Sequence, residues 1–149
     1  MKLEVDTRYA ARGPWAPRPA QFARWAGMTL ARVRQPAMLS IYVVGAARSR
    51  TLNARYRGKL KPTNVLSFAG AGALPDGRFD VGELVICAPV VACEAREQGK
   101  SRESHWAHIT VHGVLHLLGY DHEQGAEARK MAAMEVQLLD KLGFLDPYA

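Results

Sequence analysis

The sequence has little cysteine, no long hydrophobic run and, over its first 61 residues, almost no negative charge. Two cysteines, Cys87 and Cys93, are too few for a disulfide scaffold, and no CxxC-like spacing offers a thiolate metal site. Both read as ordinary buried thiols of a reducing compartment. The longest mostly apolar stretch, AMLSIYVVGAA over 37–47, is too short to span a bilayer. The N-terminus carries Glu4, Asp6 and several prolines and lacks the apolar core of a secretory signal. These absences predict a soluble, cytoplasmic protein with no membrane partner. Internal repeats and low-complexity tracts are missing too. A length of 149 residues, 48% of them hydrophobic, predicts one domain over 1–149 with a real core.

The shortage of negative charge is local. Residues 1–61 hold thirteen Lys and Arg against Glu4 and Asp6, a balance of +11, whereas residues 62–149 hold seven against twelve, a balance of −5. A basic half beside a mildly acidic half points to a polyanion surface on the first half, the plainer alternative being a solvated basic face.

Patterning gives a coarse outline. A short strand is expected near 3–5. After Pro19, apolar residues at three- and four-residue steps (Phe22, Trp25, Leu30, Val33) predict a helix that runs until Pro36 stops it. Residues 38–44 and 64–70 predict strands, with a short polar helix over 48–58 between them, ended by Gly58. A Gly-rich loop holding Pro75-Asp76-Gly77 leads to a third main strand over 79–87. Pro89 suits the first turn of a helix that runs to about Gln98, before Gly99. Ser101 or Ser104 caps a helix that Gly119 ends after Leu118. A last helix over 123–142 carries Met131, Met134, Leu138, Leu139 and Leu142 as its core stripe. The expectation is an α+β fold: a small mixed sheet of three to four strands with about five helices, in an order the sequence does not reveal.

All five histidines lie between 105 and 122, and HGVLHLLGYDH over 112–122 has the form H-x-x-x-H-x-x-G-x-x-H. That is the ligand spacing of the zinc peptidases with the signature H-E-x-x-H-x-x-G-x-x-H, but Gly113 stands where they keep their general base. Residues four apart share a helix face at about 6 Å, so one ion fits the pair 108/112 or the pair 112/116. His108 and His116, about 12 Å apart, cannot both join it. Gly119 favours 112/116, because a left-handed turn there lets the chain fold back and deliver His122. Three imidazoles with a fourth position open to water are the catalytic pattern, at the C-terminal end of the histidine helix, and suit one Zn2+ better than nickel or copper. Asp121 is a candidate to orient a ligand, and Glu83 and Glu123 are candidates for proton handling. At Gly113 the expectation is clearance for substrate, the alternative being close packing of a neighbouring element.

The segment RYRGKLKPTNVLSF over 55–68 places Arg55, Arg57, Lys59 and Lys61 at alternate positions with Tyr56 among them. These are candidates for contact with a nucleic acid: cations to neutralise phosphate and a ring on which a base can stack. At this point the sequence resembles the YbeY family of bacterial metal-dependent endoribonucleases. The likeness is carried by HGVLHLLGYDH with HWAH at 105–108, YRGKLKPTNVLSF at 56–68 and GELVICAPVV at 82–91, and it runs from about Ser40 to Leu142. The resemblance implies one zinc on His112, His116 and His122 and an Arg57 needed for activity. It also implies cleavage of single-stranded RNA, in maturation of the 3′ end of small-subunit rRNA and in ribosome quality control, with the small subunit and its assembly factors as partners. Two positions depart from the family pattern, Glu83 in place of aspartate and Ala69 in place of proline. The competing classes are a zinc metallopeptidase or amidohydrolase with Glu83 or Glu123 as a displaced base, and a non-catalytic ribosome-assembly factor with structural zinc.

Overall fold

In the computed structural model, residues 2–120 and 125–149 are described. These residues form one four-stranded mixed sheet and five helices, an α+β arrangement. The sheet order is β1 (Leu3–Tyr9), β2 (Ala37–Val44), β4 (Phe79–Cys87) and β3 (Val65–Ala73). β1, β2 and β4 run parallel, and β3 pairs antiparallel with β4 as an edge strand. β1 is longer than expected. Its sequence LEVDTRY alternates polar and apolar residues, and the burial alternates with it, as befits a half-exposed edge strand.

The helices are α1 (Pro19–Thr29), α2 (Ala46–Arg57), α3 (Ala88–Glu97), α4 (Arg102–Leu117) and α5 (Gly125–Lys141). α1 stops well before Pro36. Leu30 is fully buried, and a turn closed by the Val33 amide on the Leu30 carbonyl redirects the chain toward β2. Tertiary packing of Leu30 decides that end, not the proline.

Side chains alternate across the sheet, so its two faces carry different residues. Leu39, Ile41, Val43, Leu84 and Ile86 point into the main core with Phe22 and Trp25 of α1 and Trp106, Val111 and Val114 of α4. Among the described residues, the opposite face carries a small cluster of Val44, Leu66 and Val85, with Tyr42, Leu52 and Phe68 against it. α4 is therefore the central helix, packed on β3, β4, α1, α3 and α5. Its start is fixed by Ser101, whose hydroxyl oxygen accepts the Ser104 amide at 3.1 Å. Ser101→Ala is expected to cost about 1 kcal/mol in chemical denaturation, the usual worth of such a cap. Among the described residues, no helix is long and apolar enough to cross a membrane.

Candidate metal centre and its cleft

α4 presents His108, His112 and His116 at four-residue steps along one face. The turn that ends the helix helps build the site. Gly119 adopts φ +100°, its amide donates to the His116 carbonyl at 3.0 Å, and the Tyr120 amide donates to the Leu115 carbonyl at 3.2 Å. That pair of bonds is the glycine-dependent helix stop the sequence predicts. The same turn aims the Tyr120 carbonyl back at the helix, where it accepts from His116 Nδ1 at 3.1 Å.

His112 is oriented by a carboxylate from another helix. Its Nδ1 donates to Glu135 Oε2 of α5 at 3.2 Å. The other oxygen of Glu135 accepts from His108 Nε2 at 2.5 Å and from the Tyr148 hydroxyl at 2.6 Å. His108 thus uses its Nε2 on a carboxylate, while His112 and His116 are both held through Nδ1. An imidazole held through Nδ1 coordinates through Nε2, and a carboxylate behind a ligand histidine is the usual support of zinc sites. The donor chemistry of His112 and His116 therefore fits a zinc ion. The expected third ligand, His122, and its neighbours Asp121 and Glu123 lie outside the described residues. Among the described residues no three metal-ligating side chains converge.

Glu135 is 1% exposed. Burial pushes its carboxyl pKa up, but hydrogen bonds from His108, His112 and Tyr148 outweigh this and hold it down at about 2. Tyr148 responds in the opposite direction, its phenol raised by burial and by the same carboxylate. A depressed carboxyl stabilises the fold above its unfolded value of about 4.3 and loses that contribution as pH falls toward the folded value. The stability gap between the metal-free parent and Glu135→Gln should therefore narrow as pH falls from about 4.5 to 2. Urea titrations across that range measure it; a constant gap would mean that no ionised Glu135 holds the histidines. His105 sits one turn earlier on Glu94. Burial raises that carboxyl too, yet bonds from His105 Nε2 at 2.9 Å and Asn64 Nδ2 at 3.1 Å bring it below the ordinary range.

Arg57, 55 residues from His112 in sequence, lines the same cleft. This space of about 450 Å3 is bounded by Tyr56, Arg57, His112, His116, Asn64 and the start of β3 from Val65 to Phe68. Gly58, at φ +68°, ends α2 and leaves Arg57 in its last turn. The chain beyond is pinned back onto the helix. Asn53 Nδ2 donates to the Lys61 carbonyl at 2.7 Å, and Ser49 exchanges two bonds of 3.0 Å with the Thr63 backbone. The alternating cations do not share one side, because two helical positions point about 200° apart. Arg55 lines a separate surface hollow with Arg50 and Leu60, and Lys59 and Lys61 are exposed in the turn beyond Gly58. Glu83 lies on the opposite sheet face, not in the cleft. Among the described residues, no carboxylate lines the cleft.

Gly113 corrects an expectation. It is buried and faces the sheet: a Cβ there would lie 2.8 Å from Leu84 Cδ2, 3.3 Å from Leu84 Cδ1 and 3.4 Å from Val65 Cγ2. The glycine lets α4 pack closely against β4 and β3; it does not clear space for substrate. The residue that sequence reasoning missed is Glu135. Its signal was present: it lies four residues after Met131 on the buried stripe of α5, and a carboxylate there must be paired.

The family model described as Endoribonuclease YbeY matches residues 20–143. A protein named Endoribonuclease YbeY from Laribacter hongkongensis (strain HLHK9) is 49% identical over 152 residues, covering 100% of this chain and 90% of that protein. The likeness therefore reaches through the N-terminal 36 residues, beyond what the motifs alone carry. Among solved structures, the solution structure of TM1509 from Thermotoga maritima superposes with a TM-score of 0.63 at 21% identity, covering 93% of this chain and 88% of that one. At that identity the likeness is one of fold.

Proposed function

This chain belongs to the YbeY family, and we propose that it is a zinc-dependent endoribonuclease that cuts single-stranded RNA in the cleft between Arg57 and the histidines of α4. Endoribonuclease is the activity its 49%-identical relative is named for. We place its task in maturing the 3′ end of small-subunit rRNA and in ribosome quality control, beside the small subunit and its assembly factors in the cytoplasm. The observation that carries the assignment of residues is the meeting of Arg57 with His112 and His116 around one cleft.

His112, His116 and His122 would hold one zinc ion. The chemistry such an ion supplies when bound is Lewis-acid polarisation of a phosphoryl oxygen and a water acidified to a pKa of about 7. The chain supplies the rest. Glu135 and the Tyr120 carbonyl fix the two imidazoles, so no ring has to reorient as the substrate reacts. The Arg57 guanidinium meets the phosphodiester and neutralises charge that develops on its oxygens. Tyr56 and Phe68 bound the cleft with aromatic surface on which bases can stack. A peptidase mechanism would require a carboxylate base at the histidines. The cleft has none among the described residues, and Glu83 is on the other face.

The test is incubation of the zinc-loaded protein with single-stranded RNA, double-stranded RNA and casein. Cleavage of the single-stranded RNA alone is expected, abolished by a chelator and restored by zinc. Binding of the same RNA should weaken steeply as salt rises, because phosphate contacts release counterions. Hydrolysis of casein, or RNA affinity indifferent to salt, would contradict the assignment.

A further inference from the structure

The outer face of the sheet is only partly covered. The pairing registers place Arg8, Tyr42, Val85 and Leu66 in one row across the four strands, and Asp6, Ser40, Glu83 and Phe68 in the next. On the core side the central-strand residues Leu39, Ile41, Val43, Leu84 and Ile86 are buried under helices. On the outer side, among the described residues, α2 contributes Leu52 and Tyr56 at one end. What remains is a groove of about 870 Å3, its floor formed by Tyr42, Val85 and Phe68, with Arg8 and Arg48 beside it.

Tyr56 and Phe68 line this groove and also the cleft that holds Arg57, His112 and His116. Their rings meet edge to face with centroids 5.1 Å apart, so the two spaces join over one aromatic lip. A chain leaving the cleft across β3 passes over that lip onto the outer face. The backbone of the inner strands is already paired there, so an occupant is recognised by rings and charges and not by strand addition. Arg48 makes no ion pair among the described residues, and Arg8 holds Asp6 only in an exposed pair of the kind that contributes little. Both can meet phosphate. Glu83 stands exposed between Ser40 and Phe68, where it repels phosphate and accepts hydrogen bonds from amino groups.

We propose that this groove is a nucleotide subsite that holds RNA flanking the scissile phosphodiester. One base lies against Tyr42 and Phe68, Arg8 and Arg48 meet the adjoining phosphates, and Glu83 selects a base with an exocyclic amino group, cytosine over uracil. The proposal rests on the reading of the histidine cleft as an RNA-cleaving site and names the part of the substrate that cleft does not reach.

The test compares two substrates of the zinc-loaded protein, a twelve-nucleotide single-stranded RNA and a trinucleotide too short to fill both spaces. Tyr42→Ala is expected to raise KM for the longer RNA about tenfold, the scale of one lost stacking contact, with kcat near the parent value. The trinucleotide should be cut with unchanged kcat/KM. Tyr42→Phe should retain the parent KM, and Arg48→Ala, at an exposed position, should raise it several-fold in a protein of unchanged fold. Glu83→Gln should erase the preference for cytosine over uracil in the flank. A second readout needs no cleavage: the fluorescence of 2-aminopurine placed in the flank should change on binding to the parent and much less on binding to Tyr42→Ala. If the probe responds in a Tyr42-dependent way but nothing is cut, the groove stands and the cleft assignment falls. If RNA is cut but Tyr42→Ala and Arg48→Ala leave KM unchanged, the cleft stands and the groove proposal is overturned, the face then being a surface for a protein. Equal losses on the trinucleotide would also overturn it.

Discussion

Arg57→Ala is expected to cut single-stranded RNA about a hundredfold or more slowly than the parent, the usual loss when one preorganised donor to a developing oxyanion is removed. Its melting temperature should stay within a few degrees of the parent, since exposed substitutions typically change stability by about 0.5 kcal/mol. Arg57 is exposed and lies in the last turn of α2, where a cation interacts with the helix dipole for at most about 1 kcal/mol. Loss of that interaction cannot account for a hundredfold effect on rate. The loss should fall mainly on kcat, because charge grows on the phosphoryl oxygens as the reaction proceeds. Arg57→Lys should recover part of it, keeping the charge but not the bidentate fork. Arg55→Ala is the internal control. It removes the same charge two residues away, from a side chain that lines a different hollow. Its effect should be small and confined to RNA affinity at low salt. Equal losses from Arg55→Ala and Arg57→Ala would mean that net charge, not placement at the histidines, is what matters.

That contrast marks where sequence reasoning reaches its limit. The elements themselves were largely legible. Gly58, Gly99 and Gly119 end helices at the expected places, all with positive φ, because a left-handed helix stop has one cheap residue. The histidine spacing predicts the shared face of α4, since i and i+4 follow directly from 3.6 residues per turn. Placement across elements was not legible. Alternate spacing does not say how Arg55, Arg57, Lys59 and Lys61 are distributed in space, because α2 continues through Arg57 before the chain turns at Gly58. Glu135 was hidden by distance: 23 residues separate it from His112, and only the packing of α5 on α4 brings its carboxylate behind the imidazole. Glu83 looked available as a base until the register put its side chain on the outer face with Phe68, whereas Leu84 points inward to α4.

The Leu84 contact also changes what the missing peptidase glutamate means. Gly113→Glu should fail to hydrolyse peptides and should also fail to fold stably. On the zinc-peptidase pattern a glutamate after the first histidine reaches the metal-bound water, but position 113 in this chain is aimed at the sheet. A carboxylate there would lie against Leu84 and Val65, both apolar and Leu84 fully buried, with no partner for its charge. Uncompensated burial of an ionised group costs several kcal/mol, a large fraction of the roughly 5–15 kcal/mol that holds a domain together. RNA cleavage is then lost by unfolding and not by repulsion of the phosphodiester. Gly113→Ala isolates the contact without the charge. The methyl overpacks the interface, at a typical cost of about 1–3 kcal/mol, while the helix gains about 1 kcal/mol over glycine, so a modest net loss is expected. Leu84→Val removes the Cδ atoms that the methyl would strike. The double variant Gly113→Ala/Leu84→Val should therefore be more stable than the sum of the two single changes predicts, by an amount within the range of about 0.5–3 kcal/mol seen for contacting pairs. Urea denaturation of the parent, both single variants and the double variant measures that coupling. Strict additivity, or a Gly113→Ala protein that is more stable than its parent, would remove close packing on Leu84 as the reason for glycine at this position.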